Sequence, residues 1–258
     1  MAGSHSGDIG AGMYRPGNSP IHGLPPQVKI VSAVLFVFCV VATPREAFWA
    51  FGAYALILGT IAVIARVPFR WIARRSLIEV PFVVLAVLLP FAGGDPRVEV
   101  LGLNLSEPGL LAGWNLLAKG TLGVVTSILL ASTTPLRDLL VGLQQLRLPS
   151  VFTQIATLMV RYLAVIADQA RRMRIARLSR GDDPRFLWQV GSFARSIGTL
   201  FLRSYERGER VYVSMVSRGY TGTLPSLDER PAPAATWALA LTLPIVGLSI
   251  SVTAWVTL

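Results

Sequence analysis

Five long apolar runs govern what this chain can become. They lie at about 28–43, 47–65, 77–92, 109–131 and 234–258, and the first reads VKIVSAVLFVFCVVAT. A helix needs roughly 20 predominantly apolar residues to cross a hydrocarbon core. A core helix of a soluble protein instead confines its apolar residues to one face. Charge points the same way: 15% of the 258 residues are charged, where a soluble domain carries about a quarter. The expected fold is an all-α membrane protein with about five transmembrane helices, the first and third runs being near the short limit.

The connecting charges orient these spans. Arg66, Arg70, Arg74 and Arg75 separate the second run from the third, whereas Asp95, Arg97, Glu99 and Glu107 separate the third from the fourth. Basic loops stay inside. The N-terminus and the long section after the fourth run are therefore expected on the cytoplasmic side, with the C-terminus outside, and Lys29 at the inner end of the first run agrees. The resulting division is a flexible Gly/Ser/Pro-rich lead-in at 1–27 without a signal-peptide core, a four-span bundle at 28–131, a cytoplasmic section at 132–232 and a last span at 233–258. Lys119 falls in mid-span, where an ammonium costs about 3 kcal/mol unless it finds a partner; a carbonyl or carboxylate inside the bundle is expected. Pro81 and Pro244 stand inside spans, where neighbouring helices re-satisfy the backbone.

Between Pro135 and Pro231 lie fifteen Arg, no Lys and eight acids. A nucleic-acid surface needs only positive charge and mixes Lys with Arg. Arginine alone suits bidentate contacts to carboxylates or phospholipid headgroups. Val151, Ile155, Leu158, Met159, Tyr162, Val165, Ile166, Met173 and Ala176 recur at helical spacing, predicting an amphipathic helix of roughly 30 residues from Pro149 to Gly181. An Asp182-Asp183-Pro184 turn follows. A second helix is predicted from Phe186 through Met215, ended by Gly219, and a shorter one over 136–146 precedes both. The two long helices form a helical hairpin.

Both long helices finish alike, in Ser179-Arg180-Gly181 and Ser217-Arg218-Gly219, and an arginine stands eight residues before each, at Arg172 and Arg210. Two independent C-caps would look similar, since Gly at C′ and Arg in the last turn are both common. A shared functional ending is the alternative. A guanidinium at a helix tip can enter an acidic cleft and hold a carboxylate through two parallel hydrogen bonds. Glu206 and Glu209 stand beside Arg203, Arg207 and Arg210, which suggests helix-face ion pairs in place of acid–base chemistry. The sequence contains no phosphate-binding loop and no His-Glu-x-x-His, and it has one cysteine, Cys39. No catalytic residue, metal ligand or bound cofactor is expected in the chain, and His22 reads as a structural polar residue.

These residues carry a resemblance. The stretch from Arg203 through Gly222 (RSYERGERVYVSMVSRGYTG) resembles the second coupling-helix signature of the transmembrane T-component of energy-coupling factor (ECF) transporters, in particular the CbiQ-type subunit of cobalt importers. Met173 to Gly181 resembles the first signature. The segment Ser19 to Lys29, with Gly142 to Pro149 and Met159 to Tyr162, also fits. Ser179 and Ser217 take places usually held by Ala, and Pro25 one where Asp is common. The resemblance implies a non-enzymatic scaffold in a bacterial or archaeal cell membrane. Its partners would be two cytoplasmic ABC ATPases, which carry ATP and Mg, and a membrane substrate-binding subunit; nucleic acid is not among them. It further implies Arg180 and Arg218 as ATPase contacts, with Ser179, Gly181, Ser217 and Gly219 shaping the tips and Arg172, Arg210, Glu206, Arg207 and Glu209 supporting them. Cobalt is the implied substrate, with nickel or a vitamin as alternatives. A membrane enzyme acting on an anionic lipid is the reading from another class, and it lacks a nucleophile.

Overall fold

In the computed structural model, described for residues 13–92, 94, 96–100, 103–182, 190–222 and 233–257, the chain is helical apart from one short hairpin. The helices are α1 (Pro26–Ala42), α2 (Phe48–Ile64), α3 (Phe69–Ser76), α4 (Val80–Ala92), α5 (Glu107–Thr133), α6 (Leu136–Gln145), α7 (Ser150–Leu178), α8 (Val190–Val216) and α9 (Ala234–Val256). Strands β1 (Arg97–Val100) and β2 (Leu103–Ser106) pair antiparallel between α4 and α5. The chain divides into two compact units: one takes Met13–Leu146 with Arg230–Leu258, the other contains Arg147–Glu229.

The first unit is an apolar bundle, and α1, α2, α5 and α9 fall on the expected runs. The third span starts earlier than expected. A 3-10 turn at Leu77–Glu79 joins α3 to α4, making Phe69–Ala92 a continuous stretch long and apolar enough to cross a membrane, as are α5, α7 and α9. The arginines of α3 make its sequence read as loop, yet they extend the helix as an amphipathic turn, and the Arg75 guanidinium lies 4.5 Å from the Trp71 ring centroid. Pro81 stands in the first turn of α4, where its missing N–H costs nothing; among the described residues Pro90 and Pro244 are the helix-interior prolines. Helices α1 and α2, of 17 residues each, rise about 26 Å and stand at the short end of the spanning range.

Close backbone approach holds α4 to α5. A Cβ at Gly109 would lie 2.6 Å from the Leu89 carbonyl oxygen, and one at Gly113 2.6 Å from that of Ala86. This is the four-residue small-residue spacing that lets membrane helices touch. In the core, Phe36 and Tyr54 are fully buried and meet edge to face at 5.6 Å. The Tyr54 hydroxyl donates to the Gly247 carbonyl at 3.0 Å, tying α2 to α9.

The last four carbonyls of a helix lack intrahelical partners, and in a bilayer each must find one in the protein. At the end of α1 all four are satisfied. The Thr43 hydroxyl donates to Cys39 O, the Thr43 N–H to Val40 O, Lys119 Nζ to Val41 O at 2.7 Å, and Trp255 Nε1 to Ala42 O at 2.9 Å. Lys119 thus meets a carbonyl, as expected. The C-terminal end of α5 is closed in the same manner: Lys29 Nζ donates to Thr133 O at 3.1 Å, to Thr134 Oγ1 and to His22 O, while the Arg15 N–H donates to Ser132 O. The chain has two lysines, and each caps the helix opposite its own.

Two segments flanking the spans pack on the bundle. From Met13 onward the lead-in is folded against the bundle, because its polar groups close the end of α5. Ser19 is buried, and His22 is held at both ring nitrogens: Nε2 donates to Arg15 O at 3.1 Å and Nδ1 lies 2.6 Å from Ser19 Oγ. Residues 1–12 lie outside the described part. Helix α6, expected with the cytoplasmic section, packs on the start of α1, since a Cβ at Gly142 would lie 2.9 Å from Gln27 N.

Candidate functional site

The second unit is the hairpin of α7 and α8. Pro149 precedes α7 with φ preset for a helix start. Helix α8 begins at Val190; Asp183, Pro184 and Phe186 of the predicted turn and helix start lie outside the described residues. The pair runs antiparallel. At one end the Tyr220 hydroxyl donates to Gln154 Oε1 at 2.6 Å and Gln154 Nε2 to Gly222 O at 3.0 Å. At the other the Arg177 guanidinium lies 5.4 Å from the Phe193 ring centroid. The 26-residue step from Gln154 to Arg180 corresponds to roughly 40 Å of helix, which separates the two tips along the hairpin.

The two endings match hydrogen bond for hydrogen bond. In the first, the N–H of Ser179 donates to Ile175 O, Arg180 to Arg177 O, Gly181 to Leu178 O and Asp182 to Arg177 O. In the second, Ser217 donates to Val213 O, Arg218 to Met215 O, Gly219 to Val216 O and Tyr220 to Met215 O, all eight between 2.9 and 3.1 Å. Each is a Schellman closure. The serine hydroxyls repeat the match, Ser179 to Ala176 O and Ser217 to Ser214 O, both at 3.0 Å. Gly181 and Gly219 take φ of +74° and +84°, the left-handed region that costs other residues roughly 1–2 kcal/mol. The result at each tip is an exposed arginine, Arg180 or Arg218, on a closed cap that has used its own carbonyls.

The upstream arginines belong to the same arrangement. Arg172, Arg180, Arg203 and Arg207 line one groove of about 530 Å³ over Val165, Met173 and Ala176. Arg161, Arg207, Arg210 and Arg218 line a second of about 590 Å³ beside Leu158 and Tyr162. Each Arg–eight–Arg pair shares one groove, and Arg207 lies in both. Glu206 and Glu209 line neither groove, and among the described residues they form no ion pair, contrary to expectation. On α7 Arg172 pairs with Asp168, one turn apart. Gln154 and Tyr220 were missed by the sequence reading; the signal for Gln154 was a polar residue interrupting an apolar stripe.

The hairpin leaves much apolar surface uncovered. On α7, Phe152, Ile155 and Met159 are exposed, and on α8 Ile197, Phe201 and Val213. Exposed apolar side chains in this number mark a protein or membrane contact.

Comparison with known sequences bears on what that contact is. Residues 17–228 match the family described as CbiQ, cobalt transport protein. The chain is 31% identical to the cobalt transport protein CbiQ of Rhodobacter capsulatus, over 68% of this chain and 73% of that one. It is 26% identical to the energy-coupling factor transporter transmembrane protein EcfT of Thermanaerovibrio acidaminovorans, over 96% of each. A match at 26% identity to a fused cobalt transport protein, CbiMQ, of Methanocorpusculum labreanum covers 88% of this chain but 40% of that longer one.

Proposed function

The chain belongs to the CbiQ family of cobalt transport proteins, the membrane T-components of ECF transporters, and from that premise we propose that it links two cytoplasmic ABC ATPases to a membrane substrate-binding subunit that takes up cobalt. ATP and Mg²⁺ belong to the ATPases in this reading, and the chain itself holds neither. Arg180 and Arg218 each enter an acidic groove on one ATPase. Ser179, Gly181, Ser217 and Gly219 hold the tips, while Arg172, Arg210, Glu206, Arg207 and Glu209 support them. Movement of the ATPases on nucleotide binding and hydrolysis then displaces both ends of one hairpin, and the hairpin moves the substrate-binding subunit.

The single observation that carries this reading is the identity of the two caps. Ordinary helix ends need not agree in four backbone bonds, one hydroxyl bond and an exposed arginine at the same step. Closed carbonyls leave the arginine as the donor offered to a partner, and a carboxylate is what its fork fits.

The test is co-purification from detergent of the tagged chain with two co-expressed candidate ATPases. Both ATPases should be recovered with the parent chain and lost with Arg180→Ala/Arg218→Ala, while the amount of chain in the membrane is unchanged. Recovery of both ATPases with the double variant would sink the assignment of these arginines. Uptake by the assembled complex, compared for cobalt, nickel and vitamins, then identifies the substrate.

A further inference from the structure

The arginines that share the grooves with the tips need a partner of their own. Arg203 and Arg207 look into one groove and Arg161, Arg207 and Arg210 into the other, and no carboxylate lines either. Among the described residues none of these arginines forms an ion pair. Arg207 is half-buried, and its Nε is shielded from solvent without a hydrogen-bond partner. Like charges converging on a concavity repel one another, and a shielded unpaired donor is costly. An anion in each groove removes both penalties.

We propose that the two grooves are headgroup sites for anionic phospholipid, each seating one phosphate among the guanidiniums with the lipid chains along the apolar face of α7. Three observations favour lipid over an acidic protein surface. The guanidiniums converge on pits of about 530 and 590 Å³, a volume that suits one small ligand group, whereas a protein contact spreads over roughly 800 Å² per partner. The groove floors are apolar, formed by Val165, Met173 and Ala176 in one and Leu158 in the other. The first part of α7 is long and apolar enough to enter a membrane while burying little of itself in the protein, and Phe152, Ile155 and Met159 remain exposed. Each groove also takes in a tip arginine, Arg180 or Arg218; Arg203 and Arg161, which the ATPase reading does not use, distinguish the lipid sites from the tips.

The experiment uses the full chain without ATPases, purified in neutral detergent and offered micelles of phosphatidylcholine with or without phosphatidylglycerol, with retained lipid counted by native mass spectrometry. The parent chain should hold up to two phosphatidylglycerol molecules, preferred over phosphatidylcholine by roughly tenfold, about the effect of one charge-assisted hydrogen bond. Arg203→Gln should leave one lipid and Arg161→Gln the other; Arg207→Gln should weaken both. Arg203→Lys/Arg207→Lys keeps the charge and loses the fork, so it should retain lipid with reduced preference even if the Gln forms fold poorly. Equal retention of both lipids by the parent chain, or a preference that survives Arg203→Gln/Arg207→Gln, would overturn the proposal. Displacement of lipid by an equal concentration of inorganic phosphate would assign the grooves to free phosphate. The same variants carried through the ATPase co-purification give the other control: ATPase recovery lost with lipid retention unchanged would assign the grooves to protein, and either result overturns the lipid site.

Discussion

Lys29 and Lys119 show how single side chains keep a short-helix bundle closed. Lys119 relieves the exposed end of α1 through Val41 O, and Lys29 that of α5 through Thr133 O and Thr134 Oγ1. Lys29→Met should lower stability more than Lys119→Met, because it strands more acceptors at about 1–3 kcal/mol each; thermal melting of the purified chain in one detergent compares them, and equal melting points would refute the ranking. Gly113→Leu should be more damaging than either, since its side chain must enter a space where even a Cβ meets Ala86 O. The sequence shows that Lys119 needs a polar partner, because a mid-span charge forces the question. It does not show which, because Val41 is 78 positions away. Lys29 reads from sequence as an orientation marker, and its three acceptors become visible only when the lead-in and the end of α5 are brought together.

At the scale of elements, periodicity locates most helices to within two residues, because an apolar run or stripe must match the surface that covers it. It fails where charge and helix coincide, as in α3, and where a short amphipathic helix such as α6 is assigned by its neighbours in sequence instead of by its contact with α1. The matching letters of the two hairpin endings become matching geometry because Ser-Arg-Gly specifies a closure as well as a composition. Gly181→Val and Gly219→Val should therefore act alike. Each forces a β-branched residue into the left-handed region at a cost of roughly 1–2 kcal/mol, and amide exchange should quicken in the last turn before each glycine. Faster exchange at one tip with none at the other would show that the caps are not equivalent in solution. The grooves were less legible, since the sequence shows many arginines and not which of them face a common space.

For the whole molecule, the orientation argued from Arg66, Arg70, Arg74 and Arg75 can be read by thiol labelling, because Cys39 is buried against α9 and contributes little background. In intact cells a membrane-impermeant reagent should modify Glu46→Cys and leave Arg70→Cys untouched until the membrane is opened. The reverse pattern would invert the topology and put the hairpin outside. If the orientation holds, the sameness of the two caps has a consequence for the machine they serve. If Arg180 and Arg218 dock as proposed, one shape of socket accepts either end, so two copies of a single ATPase chain would fit as well as two diverged ones. Any preference for which end yields first must then come from what differs beside the caps, Arg203 next to one and Arg161 next to the other.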